Sequence, residues 1–259
     1  MLAGSILHIN KDQTKKQKFK KIQITSGSKF DEKWLQELIY ENIEVIKLVD
    51  PNFDKINLIP LCREFSLHDS IRNVYLDVLA VTETGKLILI ECKLWKNPQA
   101  RREVIAQIIE YASLFKNLSY GDLIVKLKKY VDCDEKDPIL HQFEKNGITY
   151  NESTLIDRIS YCLKTCIFQL VIVGDGIRSD LLNLTKNINF SGMIGDLCLL
   201  EMPVYKGDDD SYFVIPQIPV KTETIAKTVL LDNEGNPALI EEDIEESRKL
   251  LSKDAKEKN

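Results

Sequence analysis

No apolar run in the 259 residues approaches the ~20 needed to cross a bilayer as a helix, and Leu2 to Leu7 is too short for the core of a secretory leader. Six cysteines are present without a single CxxC pair, and the three histidines are scattered, so the usual zinc spacings are missing. Internal repeats are absent as well, which sets aside solenoids and propellers. A strong charge of either sign is also lacking: the net of -5 argues against a generally sticky nucleic-acid binder. Several cysteines fall in apolar, strand-like runs, where they act as small buried hydrophobes. The expectation is therefore a cytoplasmic protein with reduced thiols and no membrane partner.

Hydrophobic residues make up 44% of the chain and charged residues 29%, ordinary values for a globular protein with one substantial core. Charge is distributed unevenly. From Asp232 onward nine acids face five bases, which leaves residues 1 to 231 nearly neutral. Lys11, Lys15, Lys16, Lys18, Lys20 and Lys21 crowd the start. The expected divisions are a basic arm over 1–27, a folded domain over 28–231 with a helical insertion at about 117–165, and an acidic tail over 232–259.

The most informative stretch runs from Val74 to Phe115. Val74 to Val81 and Lys86 to Lys93 are β-rich runs joined by Thr82-Glu83-Thr84-Gly85, which predicts a hairpin with both faces largely buried. Asn97 as N-cap and Pro98 at the first helical position predict a following helix, with Ala100, Val104, Ile108 and Phe115 at helical spacing. Alternation along a strand puts Glu91 and Lys93 on one face and Cys92 on the other. Asp77 sits mid-strand among apolar residues, where an ionised carboxylate needs compensation. Any one of these three fits a buried ion pair. Two carboxylates and a lysine converging from adjacent strands form the set that holds a hard divalent cation and positions water against a phosphodiester.

Asp77, followed on the next strand by Glu91-Cys92-Lys93, resembles the PD-(D/E)XK nuclease superfamily, with Leu76-Asp77 in place of the usual Pro-Asp. Glu91-Cys92-Lys93-Leu94-Trp95, Asn97-Pro98, Ala100-Arg101-Arg102-Glu103-Val104 and a QxxxY element at Gln107 and Tyr111 are similar to a bacterial branch of it. The resemblance implies a restriction endonuclease-like αβββαβ core with a mixed central sheet flanked by helices. It further implies that Asp77, Glu91 and the Cys92 carbonyl bind Mg2+, with Mn2+ able to substitute, that Lys93 handles the attacking water, and that Gln107 supports the site. Asp31-Glu32-x-x-Leu35-Gln36 matches the branch's first helix and carries a metal role to Glu32, which lies in line with Leu35, Ile39 and Ile43.

Ser28 with Asp31 predicts the cap of that first helix, which is expected to end near Glu44. Arg63-Glu64-Phe65 also matches the branch; Glu64 is a further candidate beside the metal, with pairing to Arg63 or Arg72 as the alternative. Tyr111 shares a helix face with Gln107 and is a candidate too. Helices are expected over Leu123 to Val131, Ile139 to Lys145 and Leu155 to Leu163, the last capped by Ser153 or Thr154. Lys126, Lys128 and Lys129 would either grip a phosphate backbone or form a solvated face, and Arg178 stands in a glycine-rich turn at a helix start capped by Ser179. Asp196 to Tyr205 and Ser211 to Pro216 predict a closing hairpin. The expected function is a metal-dependent nuclease acting on DNA more readily than RNA, in defence or repair. The alternatives are a non-catalytic nucleic-acid-binding or scaffold protein, or a nuclease effector gated by a partner or ligand, and the expected protein partners are a second copy in a homodimer or a regulatory protein.

Overall fold

The computed structural model of the protein describes residues 6–9, 11, 16–22, 24, 29–46, 48–49, 55–68, 72–94, 98–133, 136–175, 196–221, 229–231 and 237–239. The chain opens with strands β1 (Ile6–Ile9) and β2 (Lys16–Ile22) and helix α1 (Glu32–Glu41). Short strands β3 (Leu48–Val49) and β4 (Lys55–Ile56) precede three long ones, β5 (Leu58–His68), β6 (Asn73–Thr82) and β7 (Leu87–Lys93). Four helices follow, α2 (Pro98–Phe115), α3 (Tyr120–Leu127), α4 (Pro138–Lys145) and α5 (Glu152–Thr165). Strands β8 (Gln169–Gly174), β9 (Asp196–Glu201), β10 (Val204–Lys206), β11 (Tyr212–Val214) and β12 (Gln217–Lys221) come next. The chain divides into two compact units, Met1–Thr222 and Glu223–Asn259. Within the second, β13 (Val229–Leu231) pairs antiparallel with β14 (Pro237–Leu239), so the expected boundary after residue 231 falls at the end of a strand that belongs with the tail.

The first unit is mixed α/β. Its main sheet has the order β12-β9-β8-β7-β6-β5. Strand β6 runs antiparallel to both β5 and β7, whereas β7, β8 and β9 run parallel. The parallel step from β7 to β8 needs a crossover, and α2 to α5 supply it. One apolar cluster on the α2 side joins Leu76, Leu89, Ile108 and Phe115, and another on the α1 side joins Leu35, Ile39, Val78 and Ile90. With both faces covered, β7 and β8 are buried almost throughout, which is why their sequences read as continuous apolar runs.

Helix ends follow from short polar side chains. Asp31 caps α1 by accepting the Trp34 N–H at 2.9 Å, so the cap lies at Asp31 rather than Ser28, which is outside the described residues. The helix stops at Glu41, and Ile43–Val45 continues as a 3-10 turn, earlier than the expected end near Glu44. Ser119 and Asp122 form a capping box on α3, and Asn151 caps α5 in place of Ser153 or Thr154. Residues 6–9 and 16–22 of the expected arm are sheet: β1 pairs with β2, and β2 pairs with β10. Phe19 explains this, since it is fully buried and meets Phe213 edge-on at 4.6 Å. The expected closing hairpin divides at Met202 and Pro203, with β9 in the main sheet and β10 paired to β11 in the second. No helix among the described residues is long and apolar enough to cross a membrane. All six cysteines are buried free thiols.

Gly85 closes the β6–β7 turn with φ +87°, and a Cβ there would meet the Arg158 Cβ at 3.0 Å and Leu155 at 3.2 Å. Gly85→Ala is expected to destabilise the fold by about 1–3 kcal/mol through combined strain and crowding. Thermal unfolding checks this; an unchanged midpoint would show that the turn relaxes freely.

Candidate functional site

Strands β6 and β7 cease to pair before either of them ends. Their last register pair is Val78 with Ile90, although β6 reaches back to Asn73 and β7 runs on to Lys93. Beyond that pair β6 stays with β5, through Leu76 opposite Phe65, and β7 stays with β8, through Lys93 opposite Gly174. The sheet therefore forks. Asp77 and Glu91 are the first residues past the last pair, one on each arm.

A strand that loses its neighbour leaves backbone groups unsatisfied. Here the Asp77 carboxylate substitutes for the missing strand: Oδ2 accepts the Cys92 N–H at 2.6 Å. Its other oxygen, Oδ1, accepts from Nε2 of Gln36 on α1 at 2.7 Å. Gln36 was not expected to matter, although the signal was present: it lies four residues after Glu32 and three before Ile39, on the buried side of α1.

Glu91 projects from the opposite side of β7 to Cys92, as alternation predicts. Cys92 packs in the α1-side cluster, and Glu91 lies close enough to Tyr111 of α2 to raise its hydroxyl pKa, after burial as the larger cause. Both carboxyls are buried, Asp77 8% and Glu91 2% exposed. Among the described residues, Oε2 of Glu91 has no hydrogen-bond partner, and neither has Oε1 of Gln36. Burial raises the Asp77 pKa well above the ordinary carboxylate range; the Cys92 N–H opposes this, and the charges of Glu64 and Glu32 reinforce it. Burial raises Glu91 further, with the Asp77 charge next and Lys93 opposing.

Lys93 and Glu32 meet at the mouth of the fork. Glu32 Oε1 accepts the Leu94 N–H at 3.1 Å and stands 3.7 Å from the Lys93 ammonium. The ion pair of Lys93 is thus with Glu32, and no ion pair joins it to Asp77 or Glu91 among the described residues. Glu32 faces the end of β7, as its place on the inner side of α1 predicts, and bridges the first turn of that helix to the strand.

Gln107, expected to support the site, is bonded to Tyr111. Its Nε2 donates to the Tyr111 hydroxyl at 2.6 Å, and that hydroxyl donates to the Tyr75 carbonyl at 2.9 Å. The pair therefore braces β6 two residues from Asp77 and puts no amide on the acids themselves. Glu64 pairs with neither arginine considered for it: Arg63 turns to Glu37 at 3.4 Å and Arg72 to Glu110 at 3.5 Å. Lys126 donates to the Ser66 carbonyl at 3.4 Å, while Lys128 and Lys129 lie exposed just after α3. Arg178 and Ser179 are outside the described residues.

Among the described residues no three Asp, Glu, His or Cys side chains form a ready-made metal group. Two carboxylates still fit Mg2+ or Mn2+, ions commonly held by one or two acids together with backbone carbonyls, water and substrate phosphate. Two buried acids, one with an oxygen left unbonded, are the donor set a divalent cation would satisfy. A concavity of about 690 Å³ lies elsewhere, at the Gly85 end of the hairpin, lined in part by Lys86, Arg158 and Tyr161.

The raised carboxyl pKa values predict a pH effect on stability. Asp77 is pushed up to about 7 and Glu91 to about 9, so the folded state keeps protons that the unfolded chain releases near its ordinary carboxylate values. Stability without divalent ions should fall as pH rises through that window. Glu91→Gln removes most of this loss, so the variant should melt several degrees above wild type at pH 8 and by much less at pH 5. Melting curves in chelator test this, and parallel pH profiles for the two proteins would show that the pair does not titrate as described. Comparisons with protein-family models, curated proteins and solved structures returned no match to this chain.

Proposed function

We propose that the protein is a metal-dependent nuclease hydrolysing phosphodiester bonds, with DNA as the favoured substrate. One observation carries this: a forked sheet that collects two buried carboxyls, one of them with an oxygen that has no hydrogen-bond partner among the described residues, and a lysine at one point, with Glu32 of α1 beside them. The succession α1, β5, β6, β7, α2, β8 agrees with the αβββαβ core that the PD-(D/E)XK resemblance implies.

Asp77, Glu91 and the Cys92 carbonyl would hold the ion, which when bound lowers the pKa of a coordinated water and neutralises charge on a phosphate oxygen. The chain's own groups do the remaining work. Gln36 and the Cys92 N–H fix the Asp77 carboxylate by both oxygens, so its orientation is set before substrate arrives. Lys93, 3.7 Å from Glu32 and partly exposed, presents an ammonium at the mouth of the fork, where it would orient the attacking water and stabilise charge developing on the phosphate. Glu32 keeps that ammonium on the site side of the strand end. Tyr111 and Gln107 hold the β6 backbone in place.

Lys93→Ala should leave the fold and Mn2+ binding largely intact but slow single-turnover cleavage of DNA by ~10²-fold or more. Asp77→Asn should abolish Mn2+ binding in calorimetry as well as cleavage. A folded Lys93→Ala protein that cuts like wild type removes the lysine from catalysis, and equal Mn2+ binding by wild type and Asp77→Asn places the metal elsewhere. Absence of cleavage of single-stranded DNA, double-stranded DNA and RNA by the Mn2+-loaded wild type would favour a non-catalytic binding role.

A further inference from the structure

Three described non-glycine residues have left-handed backbone, Glu64, Cys166 and Asp210, and Glu64 with φ 51° is the one inside a strand. Cys166 ends α5, and Asp210 lies in a turn. The register pairs Arg63 with Val78 and Phe65 with Leu76 set Glu64 opposite Asp77. Side-chain alternation slips on both strands at this level. Leu79 and Val81 face the α2-side cluster, and so do Val74 and Leu76, which regular alternation from Leu79 would turn away. On β5, Cys62 and then Phe65 share that cluster across the same slip. Two opposed strands thus lose their pleat at one level, and an acid occupies each position.

The distortion is held from outside by the segment after α3. The Tyr130 hydroxyl donates to the Glu64 carbonyl at 3.1 Å and accepts the Ser66 N–H at 2.9 Å, groups that an edge strand leaves unpaired. Lys126 adds its bond to the Ser66 carbonyl. The Tyr130 ring rests against Phe65 at 5.8 Å, and Phe65 stacks on Phe115 at 5.4 Å, so the hydroxyl is anchored to the core. The register sets Glu64 opposite Asp77, and its charge contributes to the raised pKa of both Asp77 and Glu91. No hydrogen bond or ion pair to another described residue holds that carboxylate, and Glu91 Oε2, on a side chain only 2% exposed, awaits a partner at the same point.

We propose that Glu64 is a third carboxylate of the Asp77–Glu91 site, joining that pair around a divalent cation, and that Tyr130 is the positioning residue that keeps it there; this rests on the metal-dependent reading of the site. The residue is exposed, so its side chain can rotate into the fork when charge there is neutralised. A left-handed glutamate is then explained as a strained position retained for its carboxylate, where glycine would suit the backbone better.

Calorimetric titration of the full chain with Mn2+ tests this without requiring activity. Glu64→Gly removes the carboxylate and relieves the backbone, so it should melt at or above the wild-type temperature while binding Mn2+ about tenfold or more weakly. Tyr130→Phe should weaken Mn2+ binding in the same direction, and should add no further loss in the Glu64→Gly background, because it acts through Glu64. Wild-type Mn2+ affinity in Glu64→Gly overturns the role of Glu64 alone. Equal losses from Tyr130→Phe in both backgrounds overturn the positioning role. A wild type that binds no Mn2+ overturns the metal reading and the role of Glu64 with it.

Discussion

The bond from the Cys92 N–H to the Asp77 carboxylate holds together two strands that have stopped pairing. An antiparallel pair normally continues until a turn or a bulge stops it, because every separated residue leaves backbone groups to be satisfied some other way. Here a side chain takes over that task. It frees the arms of β6 and β7 to go to different neighbours, one with β5 and the other with β8. The carboxylate that permits the fork is one of the two that occupy it, so the opening and its chemistry come from the same residue.

The electrostatics of the fork argue against a purely structural role. A buried ion pair would place the ammonium of Lys93 on Asp77 or Glu91, yet its ion pair is with Glu32 at the mouth. What remains inside is a pair of like-charged groups that burial and mutual repulsion push towards the neutral form. Apolar residues of similar size would pack there without that penalty. A site kept against its own stability, next to a strained glutamate, is characteristic of function rather than of folding.

Much of this was legible in the sequence. The hairpin, the following helix and the opposite facing of Glu91 and Cys92 follow from apolar runs and strand period, and the Glu32 contact follows from helix period. Gln36 lay on the same inner helical stripe as Glu32 and Ile39, but a glutamine carries no charge to demand a partner, so nothing in the pattern singled it out. The left-handed Glu64 was illegible, because it depends on Tyr130, sixty-six residues later in sequence, bonding the free edge of β5. The N-terminal arm misled for a related reason: Lys16, Lys18 and Lys20 dominate the composition of β2, while its place in a sheet is decided by Phe19 meeting Phe213, far along the chain.

Position within the sheet also explains why the helical insertion between α2 and β8 bears on the site at all. β5 ends the main sheet, and an unpaired edge next to a bent residue would fray or recruit another strand. Tyr130 and Lys126 occupy that edge with side chains in place of a strand, which closes it without restoring the pleat that a paired neighbour would impose. A seventh strand at this edge would force Glu64 back towards ordinary β geometry. The insertion therefore does what another strand could not: it satisfies the edge and preserves the distortion, leaving the acids of β5, β6 and β7 at one level of the sheet.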